Sequence, residues 1–341
     1  FMLQTIYLGT YTRRESKGIY SITLDTEKEQ LVDLTLRAEE KSPTYLARSK
    51  KERVYTVTEV DGAGGCGAYT PAFELLNTVT EEGAPLCYVA VDEPRQLVYG
   101  ANYHKGEVNV YKILEDGSIE ATDHIYHDEP VGPHENQDNP HVHYTDLTPD
   151  QRLAVCDLGT DRVYTYDVSA EGKLTEAAVY VAAAGTGPRH LVFHPNHQYA
   201  YLVGELDSSL NVLRYNEADG SFEEIQKVPT LPEDFTDFNS GAAVRVSTDG
   251  RFVYSSNRGH NSLVVFEVTE DGAGLNFIQR LSTEGDFPRD FDLDPTNEFL
   301  VCANQNSDNL TLYRRNAETG ELTTIQKDVY APECVCVLFE K

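Results

Sequence analysis

The 341-residue sequence predicts an all-β fold built from repeated four-stranded units, and three observations predict it. Tyrosine, which is favoured on pleated sheet surfaces, occurs 21 times, against 13 phenylalanines and no tryptophan. A pattern of two short alternating strands recurs along the whole chain. Most repeats later carry a polar residue followed by glycine, as in "EDGSI", "AEGKL" and "ADGSF", which is typical of a tight hairpin turn.

Each repeat begins at an anchor residue, continues through strands A and B, and ends in a hairpin of strands C and D. The stretches "GPRHLVFHPNHQYAYLVGEL" (187–206) and "SGAAVRVSTDGRFVYSSNRG" (240–259) show the A–B part. Four strands in about 40–50 residues is the size of one blade of a β-propeller. The anchors lie 42 to 55 residues apart, at Pro43, Pro85, Pro140, Pro188, Ser240, Pro288 and Pro332.

The two ends of the sequence indicate how the repeats close. The first repeat, "QTIYLGTYT", matches strand B and has no strand A before it, whereas the last segment, "APECVCVLFE", matches a seventh strand A. A ring closed by pairing these segments has no open edge. We therefore expect a seven-bladed β-propeller that forms a single domain over residues 2–341, rather than an open solenoid or several small sandwiches.

Charge and cysteine usage limit the partners and the compartment. Twenty-eight basic and 56 acidic residues give a net charge of −28, which argues against nucleic acid or a membrane surface as a partner. The six cysteines form no C-x-x-C pair, and the sequence has no apolar run of membrane-spanning length and no signal peptide. We expect a cytoplasmic protein, a monomer or weak homo-oligomer. The glycine-rich stretch "EVDGAGGCGAYTPAF" (59–73) is expected to be a flexible B–C connection.

Polar residues collect at two positions of every repeat. In a propeller, strand A begins at the rim where strand B ends, so residues after the anchor and residues ending strand B are expected around one channel mouth. After the anchors come Thr44, Leu86, His141, His143, Arg189, His190, Gly241, Arg289, Asp290 and Glu333. Strand B ends near Thr10, Glu59, Asn102, Asp157, Glu205, Asn257, Arg258 and Asn304.

Some of these polar residues are better explained as turn caps. Asn, Asp and Glu at the end of a strand commonly bind the backbone of the following turn, and we expect this for most of Glu59, Asn102, Asp157 and Asn304. Asp157 is also expected to pair with Arg162. Three arginines at one channel mouth repel one another unless carboxylates or a bound anion compensate them. Arg189, Arg258 and Arg289, with His143 and Glu205, therefore predict a site for a small anion.

A metal site is the weaker interpretation of the histidines. His141 and His143 are two residues apart and so share one face of a strand, and His134, Glu135 and Asp138 lie nearby in sequence. No third ligand occupies a defined position, so we expect neither a metal nor another cofactor. His194 and His197 are expected on the surface, in the turn between strands A and B.

The motifs "GPRHLVFHPNHQYAYLVGELDSSL", "FPRDFDLDP" and "HVHYTDLTPD" resemble the lactonase family of seven-bladed propellers. This family includes the propeller-type 6-phosphogluconolactonases and the carboxy-cis,cis-muconate lactonizing enzymes, and the resemblance covers essentially the whole chain. It implies the propeller fold and a role in carbohydrate metabolism, in the pentose phosphate pathway. It also implies that His143, Arg189, Glu205 and Arg258 are the catalytic residues.

The resemblance implies metal-independent hydrolysis of a small anionic sugar lactone, 6-phosphoglucono-1,5-lactone above all. Either His143 or Glu205 would deprotonate the attacking water, Arg189 or Arg258 would stabilise the oxyanion, and Arg289 would bind phosphate. Further substrate contacts are expected from His141, His190, Asn257 and Asp157. Two alternatives remain open: a muconate-type lactonizing reaction at the same residues, and a propeller scaffold without catalytic activity.

Overall fold

The computed structural model describes residues 2–341, and these residues form seven four-stranded antiparallel sheets. In this part of the chain the regular helical structure is a single 3₁₀ turn, Glu270–Gly272. No helix among the described residues is long and apolar enough to cross a membrane. The chain groups into two compact units, unit 1 (Phe1–Glu39, Leu191–Arg214 and Glu224–Lys341) and unit 2 (Glu40–His190 and Tyr215–Glu223). The prediction of a single domain stays a prediction.

Three sheets lie in unit 2, and each pairs its strands in the order of the sequence. The first comprises β4 (Leu46–Arg48), β5 (Val54–Val60), β6 (Ala63–Tyr69) and β7 (Leu75–Glu82). The second comprises β8 (Tyr88–Asp92), β9 (Leu97–Asn102), β10 (Glu107–Ile113) and β11 (Ile119–Tyr126). The third comprises β12 (Val142–Leu147), β13 (Leu153–Asp157), β14 (Arg162–Val168) and β15 (Leu174–Val181).

Three further sheets lie in unit 1. Two follow the sequence order: β20 (Ser240–Val246), β21 (Phe252–Arg258), β22 (Ser262–Thr269) and β23 (Gly274–Ser282), then β24 (Pro288–Leu293), β25 (Phe299–Asn304), β26 (Asn309–Arg315) and β27 (Leu322–Tyr330). The third has the order β28-β1-β2-β3, from β1 (Leu3–Thr10), β2 (Gly18–Asp25), β3 (Gln30–Glu39) and β28 (Cys334–Phe339). The remaining sheet of the chain comprises β16 (Pro188–Phe193), β17 (Tyr199–Gly204), β18 (Ser209–Asn216) and β19 (Ser221–Pro229).

The sheet made from both ends of the sequence confirms the predicted closure. The last strand, β28, pairs antiparallel with β1, so that Ile6 lies opposite Phe339 and Leu8 opposite Val337. These four side chains are buried, and they pack in one apolar cluster with Val301 and other residues of β25 and β26. The alternation of apolar residues in "TIYLG" and "CVCVLF" places the same face of each strand in this core.

The prediction of a flexible connection over the glycine-rich stretch 59–73 is wrong, because residues 59–60 end β5 and residues 63–69 form β6. Its glycines meet a packing requirement: a Cβ at Gly64 would lie 2.3 Å from the Cα of Pro85, and a Cβ at Gly65 would lie 2.0 Å from the carbonyl oxygen of Val79. Glycine lets β6 pass this closely beside its neighbours. The actual B–C connection is a tight turn at Asp61 and Gly62, both with positive φ.

Candidate active site

An extra residue interrupts the pairing at the start of strand A in several sheets. In β12, Val142 lies opposite Asp157 and Tyr144 opposite Cys156, so His143 is the bulged residue between them. In β24, Pro288 lies opposite Asn304 and Asp290 opposite Ala303, and the bulged residue is Arg289. His143 and Arg289 therefore occupy the same position in their sheets, and a bulge redirects the side chain that it carries.

This register corrects the sequence alignment of the repeats. The sequence pattern aligns Pro140 with Pro288. In the structure Val142, two residues later, is the residue that pairs with the end of strand B as Pro288 does. The last repeat shows the same shift, because Thr10 lies opposite Cys334 rather than Pro332. The proline and the start of the strand are separate features, and only the register distinguishes them.

The end of strand B offers two adjacent positions that face in opposite directions. The last position of strand B that pairs with strand C is held by Asn102, Asp157, Gly204, Asn257 and Asn304, and the next residue is Tyr103, Leu158, Glu205, Arg258 and Gln305. In β1, Thr10 lies opposite Cys334 as Asn304 lies opposite Pro288, and Tyr11 follows it. Successive side chains alternate across a strand, so these two sets serve different purposes.

Residues at the last paired position of strand B hold the neighbouring loops. Asp157 is fully buried, and its carboxylate accepts hydrogen bonds from the backbone N–H groups of His141 (2.8 Å) and Thr160 (3.0 Å) and contacts His127 Nδ1 at 2.7 Å. The predicted pairing with Arg162 is wrong, because that guanidinium donates to the carbonyl oxygens of Pro130 and Thr160.

Asparagines at the same position bind loop backbone in the same way. Asn257, also fully buried, donates from Nδ2 to the carbonyl oxygen of Thr230 (3.0 Å) and accepts from its hydroxyl (2.9 Å). Asn102 and Asn304 donate to the carbonyl oxygens of Ala84 and Thr283, both at 2.9 Å. These contacts favour a structural role for Asn257 and Asp157 over the predicted contact with substrate.

Two acidic residues near the start of strand A are likewise engaged by the protein. The carboxylate of Glu333 accepts hydrogen bonds from four successive backbone N–H groups, those of residues 13–16, at 2.9–3.0 Å. Asp290 accepts from Arg245 Nη2 (2.9 Å) and from the backbone N–H of Val337 (2.8 Å). Both carboxylates thus hold backbone of the sheet β28-β1-β2-β3, Glu333 in the connection from β1 to β2 and Asp290 in β28.

Unit 1 contains an arginine group, which we define as Tyr11, Glu205, Arg258 and Arg289. Arg258 is 7% exposed, and its Nη2 donates to Glu205 Oε1 and to the carbonyl oxygen of Gly241, both at 2.8 Å. Its Nε is buried and donates no hydrogen bond within the described chain. Arg289, which is half-buried, donates from Nη1 to the Tyr11 hydroxyl at 2.7 Å.

The electrostatics of the arginine group favour an added negative charge. Burial lowers the pKa of Arg258, the Glu205 carboxylate partly offsets this effect, and the nearby Arg289 guanidinium lowers the pKa further. The guanidinium carbon of Arg258 also lies 5.4 Å from the ring centre of Phe287. Two guanidinium groups close to each other suit the binding of a phosphate, a carboxylate or a developing oxyanion.

Unit 2 contains a histidine group, which we define as Tyr88, Tyr103, His143 and His190. Nδ1 of His143 lies 3.1 Å from Nε2 of His190, and both side chains are at most 6% exposed. The edge of the His190 ring meets Tyr88 with ring centres 5.2 Å apart, and His143 meets Tyr103 at 5.8 Å. A hydrogen bond between two imidazoles requires that at least one of the two nitrogens is unprotonated.

The other predicted residues of unit 2 lie beside this group. The His141 ring stacks on Tyr103 at 4.0 Å, and its nitrogens contact the Tyr103 carbonyl oxygen (2.6 Å) and Asp138 Oδ1 (2.8 Å). These contacts hold His141 against Tyr103, and its contact with substrate stays a prediction. Arg189 directly precedes His190 in β16 and is 2% exposed. His194 and His197 lie in the A–B turn, as predicted, and His197 is exposed.

Sequence reasoning missed the three tyrosines of these groups, Tyr11, Tyr88 and Tyr103. Tyr88 begins β8, whereas Tyr11 and Tyr103 come at the position that Glu205 and Arg258 occupy in other sheets. The signal was present in "GTYT" and "GANYHKG", where a tyrosine comes directly after the last residue of the strand. It was overlooked because the prediction grouped the capping residues with the residues that follow them.

The chain matches the family model described as "Lactonase, 7-bladed beta-propeller" over residues 5–339. A crystal structure of a protein from Lactobacillus plantarum is 52% identical, covers 100% of both chains and superposes with a TM-score of 0.98. The 6-phosphogluconolactonase of Bacillus subtilis is 45% identical over 98% of this chain and 97% of its own length. The periplasmic gluconolactonase of Pseudomonas aeruginosa is 28% identical, with a TM-score of 0.90 and 99% of both chains covered.

These comparisons confirm the predicted fold class, a seven-bladed β-propeller of four-stranded blades in which the last strand A joins the N-terminal strands. The chain belongs to the lactonase family of seven-bladed propellers. The prediction of a lactonase, rather than a scaffold without catalytic activity, is thereby confirmed at the level of the family. The roles of the individual site residues stay predictions.

Proposed function

We propose that the protein hydrolyses 6-phosphoglucono-1,5-lactone to 6-phosphogluconate without a metal ion, as an enzyme of the cytoplasm. The observation that carries this proposal is the buried Arg258, held by Glu205 and Gly241, with Nε–H as a further donor and Arg289 beside it. The name of the Bacillus subtilis relative supports the phosphorylated substrate. A small anionic substrate also fits a local group of cations in a chain of net charge −28.

In the proposed reaction, water attacks the ring carbonyl carbon, the bond to the ring oxygen breaks, and that oxygen takes up a proton. The products are a carboxylate and an alcohol, with one proton released to solvent. His143 accepts the proton of the attacking water, because an imidazole titrates near neutral pH. For Nε2 of His143 to accept this proton, its Nδ1–H must donate to His190 Nε2, which lies 3.1 Å away.

Arg258 stabilises the oxyanion in this proposal, and Arg189 shares or takes over that role. One well-placed donor to an oxyanion contributes about 3–4 kcal/mol to lowering the barrier. Glu205 accepts a hydrogen bond from Arg258 and is therefore assigned to positioning it rather than to proton transfer. Arg289, oriented by Tyr11, binds the phosphate.

The test is hydrolysis of two lactones, 6-phosphoglucono-1,5-lactone and glucono-1,5-lactone, each corrected for its spontaneous rate. We expect faster turnover of the phosphorylated lactone. His143→Ala should lower kcat by about 10²–10⁴-fold because it removes the general base. The exposed His197, replaced in His197→Asn, is the matched control and should leave kcat unchanged.

Three outcomes would contradict parts of the proposal. Full activity of His143→Ala would exclude His143 as the base. Equal turnover of both lactones would leave lactone hydrolysis in place but exclude the phosphate as a determinant of specificity. Formation of a lactone from a muconate-type dicarboxylate, without hydrolysis of either sugar lactone, would favour the alternative lactonizing reaction.

A further inference from the structure

A second cluster of chemically active side chains lies in unit 2, on strands that take no part in the proposed reaction. Glu81 in β7, Glu107 in β10 and His124 in β11 bring one ligand atom each to within 4.8 Å of one another. β7 belongs to one sheet, and β10 and β11 belong to the next. The cluster therefore joins the edge strand of one sheet to the last two strands of the next sheet in the same unit.

Glu107 is the residue whose environment requires an explanation. Its side chain is fully buried, its Oε2 lies 3.1 Å from His124 Nδ1, and its Oε1 is buried with no hydrogen-bond partner among the described residues. Burying a carboxylate oxygen without a donor is costly. A cation among these groups would remove that cost.

We propose that Glu81, Glu107 and His124 bind a divalent cation of the zinc class. One imidazole nitrogen and two carboxylates form a donor set that suits Zn²⁺. Ligand atoms of a tetrahedral zinc site lie roughly 3.3–3.5 Å apart, given bonds of about 2.0–2.2 Å. The separations of up to 4.8 Å need a contraction of at most about 1.5 Å to reach this spacing. The exposed His124 and the partly exposed Glu81 can supply it by side-chain rotation.

One cation already competes for this site. Lys105 Nζ lies 3.2 Å from Glu81 Oε1 and also donates to the carbonyl oxygen of Glu82 at 2.6 Å. Binding of a metal would displace Lys105 from the Glu81 carboxylate, and Lys105 could keep its bond to Glu82. The Tyr126 hydroxyl is the other titratable group that interacts with Glu107. The bound ion would act as a structural clamp between the two sheets, independent of lactone hydrolysis.

The test is calorimetric titration of the whole, chelator-treated protein with ZnCl₂, together with thermal unfolding at saturating Zn²⁺. We expect one site per chain and a higher unfolding midpoint, because a ligand that binds only the folded state stabilises it. His124→Ala and Glu107→Gln should weaken Zn²⁺ binding by at least about tenfold. Lys105→Gln should tighten it, since the competing ammonium is gone.

The controls separate this site from unspecific binding. His197→Asn removes an exposed histidine elsewhere and should leave the affinity for Zn²⁺ unchanged, and none of the variants should change lactone turnover. The absence of heat and of a midpoint shift would overturn the proposal. Undiminished Zn²⁺ binding by His124→Ala would do the same, as would equal affinity for Mg²⁺, which would indicate attraction to acidic surface alone.

Discussion

The arginine group of unit 1 and the histidine group of unit 2 start from the same strand positions and are held together by different forces. Arg258 is fixed by an ion pair with Glu205 and by a backbone carbonyl, whereas His143 is fixed by His190 and by tyrosine rings. Charges oriented in a buried group suit binding and stabilisation of an anion. An imidazole held by neutral and aromatic contacts suits proton transfer.

The repeat explains how one architecture supports both groups. The bulge at the start of strand A carries His143 in one sheet and Arg289 in another, and the residue after strand B is Tyr103 in one and Arg258 in another. The residue just before this position, such as Asn102 or Asn257, holds the neighbouring loop, whether a tyrosine or an arginine follows it. The structural and functional positions are thus adjacent in sequence and separated by the alternation of the strand.

Arg258→Ala is expected to have the largest effect on the arginine group. It removes a donor to the oxyanion and leaves the Glu205 carboxylate without its Arg258 partner, so kcat should fall by about 10²–10³-fold. Breaking a buried pair by removing one partner also destabilises the fold, by about 3–5 kcal/mol. Steady-state kinetics and urea unfolding measure the two effects separately.

Arg258→Lys sharpens the same comparison. Lysine keeps the positive charge. Its ammonium group lacks the planar guanidinium geometry, in which Nη2 donates to Glu205 and Gly241 while Nε remains a further donor. We expect kcat to remain low although much of the lost stability returns. Recovery of full activity would show that only the positive charge matters, and the argument from the geometry of Nε would then fail.

His190→Ala tests whether the histidine group depends on orientation. Loss of the Nδ1–Nε2 contact should lower kcat by about 10–100-fold, with KM unchanged, and should shift the acidic limb of the pH profile of kcat. His190→Gln, which can keep a hydrogen bond to His143, should recover part of the loss. A change confined to KM would instead assign His190 to substrate binding.

Arg289→Ala is expected to discriminate between substrates. If Arg289 binds the phosphate, KM for the phosphorylated lactone should rise by about tenfold, which corresponds to about 1.4 kcal/mol, and KM for the unphosphorylated lactone should stay the same. Arg245→Ala, at a cation that pairs with Asp290 and Asp292 instead, is the comparison variant. Equal increases in KM for both lactones would show that Arg289 does not bind the phosphate.

Sequence patterns predicted the sheets and their closure well, because strand alternation and hairpin glycines are local signals. The same patterns identified His143, Glu205 and Arg258 as polar residues at the start of strand A or the end of strand B. They did not show that Asn257 binds a loop and Arg258 belongs to the arginine group, because a shift of one residue along a strand reverses the direction of the side chain. They also missed the bulges, because the extra residue at His143 is defined only by its partners in β13.

The smallest expected effect concerns stability rather than activity and belongs to the surroundings of the histidine group. Asp146 of β12 accepts a hydrogen bond from the Tyr88 hydroxyl at 3.4 Å, and burial raises its pKa to about 6 from an ordinary value of 3.8. The folded state thus favours the neutral acid. Its contribution to the free energy of unfolding is fully present below about pH 4 and is lost as the pH rises through 6.

Asp146→Asn should therefore flatten the dependence of stability on pH between 4 and 6.5, because an amide has no such titration. Urea unfolding at several pH values measures this dependence, and the variant should gain stability relative to the original protein as the pH rises through that range. An unchanged pH dependence would show that Asp146 is ionised in the folded protein. The aromatic surroundings of His190 would then be more polar than the contacts of Tyr88 indicate, and the contrast between the two groups would weaken.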